Sequence, residues 1–135
     1  GQLKVLDERV AKKKQIFEIY REAFKEIKAI EMMSISDKGK PNYWLSCMTL
    51  KESSSVKPLD IMLALEKENI ESRPIWKPMH LQPYFKGYPF FSHFDRENKQ
   101  SIAEDIFNRG VCLPSDTKMT EADQQRITKI VKELF

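Results

Sequence analysis

Residues 72–83, SRPIWKPMHLQP, limit the fold of this chain more than any other stretch. Pro74, Pro78 and Pro83 each fix φ near about −65° and remove a backbone donor. Each also pushes the residue before it into extended geometry. A regular helix or a central strand is therefore excluded here, and the remaining elements must assemble on either side of a pre-set ribbon. Such a ribbon has little conformational entropy left to lose on binding. It carries Arg73, Trp76, Lys77 and His80. The guanidinium offers a planar fork for phosphate or carboxylate, the ammonium a point charge, and the indole a flat face for a base, sugar or cofactor. His80 can donate or accept a hydrogen bond near neutral pH. The same residues also fit a purely structural role, with Trp76 plugging the core, Arg73 paired to a helix acid and His80 capping a turn.

The rest of the chain reads as an ordinary globular domain. Its 135 residues are enough for one domain with a core, and 41% apolar with 32% charged content excludes disorder. A net charge of +3, with lysines scattered among glutamates, does not by itself imply nucleic acid or a membrane surface. Cys47 and Cys112 lie far apart, outside any C-x-x-C pair, so zinc and redox motifs have no support. Two buried thiols or one disulfide both remain open. No apolar run reaches the length of about 20 residues that a membrane span needs, and no signal-peptide pattern is present, so the cytoplasm is the expected compartment.

Periodicity supplies the elements. Leu3, Leu6, Val10, Phe17, Tyr20, Phe24 and Ile27 fall at spacings of three and four, with Lys13 in one apolar slot. This stripe predicts one helix over residues 2–28, about 40 Å long, without a capping residue at its start. AIEMMSI and NYWLSCMTL read as strands, the second apolar on both faces and therefore central. Pro58 suits the first turn of a helix with Leu59, Met62, Leu63 and Leu65 inward. A brief strand is expected over residues 70–75. Ile102, Ala103, Ile106 and Phe107 restart the helical period, and Gly110 is a natural helix stop. VCLP is a short buried strand, and Thr120 caps a last helix with Ile127, Ile130, Val131 and Leu134 on one stripe. The expected class is α+β, a small, mostly antiparallel sheet packed with helices.

A self-contained active site is not legible. The sequence has no G-x-G-x-x-G, no G-x-x-x-x-G-K-[ST], no H-E-x-x-H and no G-x-S-x-G. Neither histidine, His80 or His93, stands beside a nucleophile in a recognisable motif. Together with the uncapped first helix, this describes part of a larger machine.

Two segments are distinctive. ESRPIWKPMHLQPYF, followed by AEDIFNRGVCLPSDTKMTEADQQRITKIVKELF, resembles the C-terminal part of the DegT/StrS-type sugar-nucleotide aminotransferases. These are a branch of the pyridoxal-phosphate (PLP) enzymes with the aspartate aminotransferase fold, fold type I. GQLKVLDERVAKKKQIFEIYREAF is similar to their helix linking the large and small domains, and NYWLSCMTL to a small-domain strand. The resemblance implies one unit, with residues 1–28 as linking helix, residues 29–135 as the α+β small domain, and the large PLP-binding domain absent. It implies an enzyme that moves an amino group from L-glutamate to a nucleotide-diphosphate keto-sugar, using PLP, as a homodimer. The cofactor-bearing lysine belongs to the large domain, so no catalytic, cofactor-binding or metal-binding residue is expected here, nor any activity or bound PLP. Arg73, Trp76, Lys77 and His80, with Asn42 and Tyr43 before the matching strand, are the implied substrate contacts. Neither nucleic acid nor membrane is an expected partner.

A reading from another class uses the same cations. In a free-standing α+β binding module for nucleic acid or another anionic partner, the ribbon and Lys12, Lys13 and Lys14 would form the binding surface.

Overall fold

The computed structural model describes residues 1–91 and 101–135; His93 lies outside them. A 3-10 turn, Gln2–Val5, leads into α1 (Leu6–Phe24). Then follow β1 (Ile30–Met32), β2 (Ser46–Leu50), α2 (Pro58–Lys67), β3 (Arg73–Pro74), α3 (Ile102–Arg109), β4 (Gly110–Leu113) and α4 (Glu121–Lys132). The four strands form one sheet in the order β1-β2-β4-β3, with every neighbouring pair antiparallel. The fold is the expected α+β class.

One face of the sheet carries the core. Ser46, Met48 and Leu50 alternate with Cys47 and Thr49 along β2, and residues directly opposite in an antiparallel pair share a face. Met48, Leu50, Val111 and Leu113 meet Ile16, Tyr20 and Phe24 of α1, Ile61 and Leu65 of α2, and Ile127 and Val131 of α4. The other face, bearing Cys47 and Cys112, is where α3 and the proline ribbon pass.

Several expectations change in instructive ways. The regular helix ends at Phe24, short of residue 28. Ile27 N donates to Phe24 O at 2.9 Å and Ile30 N to Ile27 O at 3.0 Å, so tight turns take over while Ile27 still packs on the core. Periodicity of the apolar residues cannot separate those turns from helix. At the other end Leu3 and Leu6 are 85% and 49% exposed, which leaves the first part of the stripe bare.

In α2 the inward pair is Ile61 and Leu65, whereas Leu59 and Leu63 face out. Two residues are about 200° apart around a helix, so this segment is apolar on opposite sides and pattern alone cannot choose between them. The second strand starts at Ser46, not at residue 42. Tyr43 has φ 52°, a left-handed turn conformation incompatible with a strand, and Trp44 N donates to Asn42 Oδ1 at 3.0 Å.

Gly110 does end α3, but not through a left-handed cap. Its φ of −104° and ψ of 150° are already those of β4. Glycine is required by proximity: a Cβ there would stand 2.5 Å from both Ile106 O and Ile75 Cδ1. The helix stop is also the notch into which the ribbon seats Ile75. Thr120 caps α4 as expected, accepting from Asp123 N while Asp123 accepts from Thr120 N.

Candidate functional site

Where β3 pairs with β4, the ribbon and the Cys112 face of the sheet border a groove of about 690 Å³. That volume is within the range of small-molecule sites, about 300–1,000 Å³. Trp44 and Trp76 stand over it with ring centroids 5.5 Å apart and planes tilted by 38°. They are 63% and 60% exposed, so neither indole plugs the core. Phe107 of α3 and Cys112 and Leu113 of β4 line the groove, with Arg73, Lys77 and Glu71 among the other residues around it.

Each wall is held by identifiable contacts. Trp76 is bracketed by Pro74 and Pro78 and follows Ile75, which is seated against Gly110. Arg73 is fixed by its register opposite Cys112. Trp44 is set by the Asn42 turn, and its carbonyl accepts from Lys13 Nζ at 3.1 Å. Lys13 Nζ also donates to Ser115 O, and Tyr20 OH donates to Pro114 O at 2.8 Å. Two donors from α1 therefore pin the Pro114–Ser115 corner of the groove. This explains a lysine in an apolar slot: its stem lies along the stripe while its ammonium satisfies carbonyls.

Arg73 is engaged but available. Its Nε donates to Glu71 Oε1 at 2.8 Å and its Nη2 lies 2.6 Å from the same oxygen. Both side chains are largely exposed, and such pairs contribute about 0–1 kcal/mol. A phosphate or carboxylate can displace Glu71 at small cost and gain a bidentate contact. Lys77 is exposed at the same rim.

The structure brings Arg73, Trp76 and Lys77 together in this groove. It places Asn42 and Tyr43 in an adjoining depression of about 400 Å³ that also borders Trp44 and Trp76. Tyr43 itself is 9% exposed and packs on Phe17 at 5.4 Å between centroids, chiefly a core residue. His80 does not reach the groove. Its ring stacks on Phe90 at 3.6 Å, and Nε2 is 3.0 Å from Glu104 Oε1 in the first turn of α3. No local sequence pattern marks Trp44, Glu71, Phe107 or Cys112 as site residues. Only the sheet register and the crossing of the ribbon create their proximity.

A PLP phosphate is usually met by backbone N–H groups at a helix N-terminus. The N-termini of α2, α3 and α4 are closed by the chain's own carboxylates, Asp60, Glu104 and Asp123, which accept from the N-cap N–H. A phosphate would meet like charge at each. These three termini do not offer that group a free cradle. Among the described residues no cluster of three or more potential metal ligands occurs, and no helix is long and apolar enough to cross a membrane.

Comparison with known proteins supplies the context. Residues 1–132 match the DegT/DnrJ/EryC1/StrS aminotransferase family. This chain belongs to that family. EpsN of Bacillus subtilis (strain 168), named as a pyridoxal phosphate-dependent aminotransferase, is 44% identical over 135 residues, covering 100% of this chain and 34% of that protein. The GDP-perosamine synthase of Vibrio cholerae is 26% identical over 135 residues, covering 100% of this chain and 35% of that one. Among solved structures, Helicobacter pylori PseC, an aminotransferase of pseudoaminic acid biosynthesis, superposes with a TM-score of 0.79 at 19% identity, over 99% of this chain and 34% of that one. At that identity the likeness shows the fold. The family member described here thus spans about a third of the length of the curated relatives it matches.

Proposed function

We propose that this chain is the C-terminal small domain of a PLP-dependent aminotransferase that moves an amino group from L-glutamate to a nucleotide-linked keto-sugar. The observation carrying the reading is the tryptophan-walled groove with Arg73 and Lys77 at its rim, in a chain matched nearly end to end by the family. In this reading the indoles of Trp76 and Trp44 cover a flat or apolar part of the sugar nucleotide. Arg73 releases Glu71 and takes the diphosphate, with Lys77 as a second charge. Asn42 acts by holding the Trp44 turn, Tyr43 by anchoring it to α1, and His80 by bracing the ribbon. PLP supplies the electron sink for amino transfer and is held by the remainder of the enzyme. A homodimeric, cytoplasmic enzyme serving amino-sugar and surface-glycan biosynthesis completes the proposal.

The alternative, a free-standing binding module for nucleic acid or another anionic partner built on the ribbon with Lys12, Lys13 and Lys14, is weakened at the centre of its lysine triplet. The Lys13 ammonium is engaged by the carbonyls of Trp44 and Ser115.

The test is a transfer assay with the full-length protein, PLP, L-glutamate and a panel of nucleotide-linked keto-sugars, with the 135-residue chain run in parallel. The reading predicts an amino-sugar nucleotide and 2-oxoglutarate from the full-length protein alone. No transfer to any keto-sugar nucleotide, or turnover by the isolated chain, would contradict it.

A further inference from the structure

Beneath the tryptophan pair, Cys47 of β2 and Cys112 of β4 stand directly opposite each other in the antiparallel register. Both are free, and their Sγ atoms are 3.6 Å apart. Directly opposed residues of an antiparallel pair have Cα atoms about 4.5–5.5 Å apart. A disulfide accepts about 4.4–6.8 Å. The register is therefore compatible with an S–S bond closed by side-chain rotation. Access is through Cys47, which is half-buried and opens into the depression beside Trp44, while Cys112 is buried in the floor of the main groove. The contact between the sulfurs also sets their acidities apart, holding the Cys112 thiol below its ordinary value while the same contact and burial lift that of Cys47. Arg73 stands in register on the far side of Cys112, which makes Cys47, Cys112 and Arg73 one row across the sheet.

We propose that Cys47 and Cys112 are a redox-active pair that closes to a cross-strand disulfide by exchange with a low-molecular-weight disulfide. The thiolate of one cysteine attacks a sulfur of the external disulfide, releasing one small thiolate and leaving a mixed disulfide. The second cysteine, deprotonated, attacks the protein-bound sulfur, forming the Cys47–Cys112 bond and expelling the second small thiolate. Two electrons pass to the external disulfide, and the two protons lost by the cysteines end on the two small thiols. The product ties β2 to β4 beside Arg73, under the groove. This inference does not depend on the aminotransferase reading.

The test equilibrates the 135-residue chain in buffers of reduced and oxidised glutathione over a wide range of ratios. It then traps thiols with N-ethylmaleimide at low pH and reads intact mass and peptide links. The expected result is a species without alkylated cysteines, a mapped Cys47–Cys112 link within one chain, and a higher Tm than the reduced form. Its midpoint should lie at a ratio at least about 10-fold more reducing than for the same chain unfolded in urea, because the fold holds the sulfurs together. Two alkylated thiols at every ratio would overturn the proposal. So would glutathione on each sulfur without a link, links between chains, or equal midpoints for folded and unfolded chain. The variant Cys47→Ser should carry a single glutathione on Cys112 or none, with no protected dithiol.

Discussion

His80 Nε2 lies 3.0 Å from Glu104 Oε1, which joins the proline ribbon to the first turn of α3. Glu104 already closes that turn: Glu104 Oε2 accepts from Ser101 N at 3.1 Å, while Ser101 Oγ accepts from Glu104 N at 3.1 Å. One carboxylate therefore caps a helix and steadies the strap that presents Trp76.

Acid should loosen this joint. Glu104 is held below the usual carboxylate range, first by the Ser101 N–H and then by His80. Asp123 is lowered by Thr120 N–H and Asp105 by Arg109. Folded values below the unfolded values of about 4 mean that the stabilisation is present above that pH and fades as pH falls through the folded values. Thermal unfolding followed from pH 6 down to pH 2 should show Tm falling steeply below about pH 4.5. Glu104→Gln should lower Tm at pH 7 and give a shallower acid slope; an unchanged slope would mean the joint is idle.

The notch at Gly110 predicts a backbone-limited substitution. In Gly110→Ala the new methyl meets Ile106 O, which cannot swing aside, and Ile75 Cδ1. Overpacking of this kind costs about 1–3 kcal/mol. Denaturant unfolding should read a loss of that size. Trp76 fluorescence, isolated in a Trp44→Phe background, should shift as Ile75 is displaced.

The lysine triplet predicts three unequal members. Lys13→Met leaves the carbonyls of Trp44 and Ser115 without their donor, a loss of about 1–3 kcal/mol. Lys12→Met removes only a 3.4 Å contact to Gln15 and should stay within about 0.5 kcal/mol. Urea midpoints of the two variants check the difference. Equal midpoints would mean that Lys13 contributes no more than a surface lysine.

These lysines also mark where sequence reading stops. The order of helices and strands was legible because each carries its own local signal: Pro58 in a first turn, Thr120 with Asp123, the apolar run ending in Gly110. The choice between opposite faces of α2 was not, since Leu59–Leu63 and Ile61–Leu65 repeat equally well. The ribbon was legible as rigid and cationic from its prolines. His80 as a brace was not, because its partner Glu104 is 24 residues away. Cys47 and Cys112, 65 residues apart, become neighbours only through strand register. Local chemistry can be read along the chain, whereas long-range pairing has to be seen.

The central claim is that the ribbon's aromatic and cationic groups hold the nucleotide-sugar. Its most direct test is steady-state kinetics of the full-length enzyme carrying Trp76→Ala or Arg73→Ala, with KM measured separately for the keto-sugar nucleotide and for L-glutamate. Loss of one stacking face or one bidentate contact is worth about 1.5–3 kcal/mol, or about 10- to 150-fold. The account predicts that rise in KM for the sugar nucleotide, with KM for glutamate nearly unchanged. Unchanged KM for the sugar nucleotide in both variants, or a rise confined to glutamate, would contradict it.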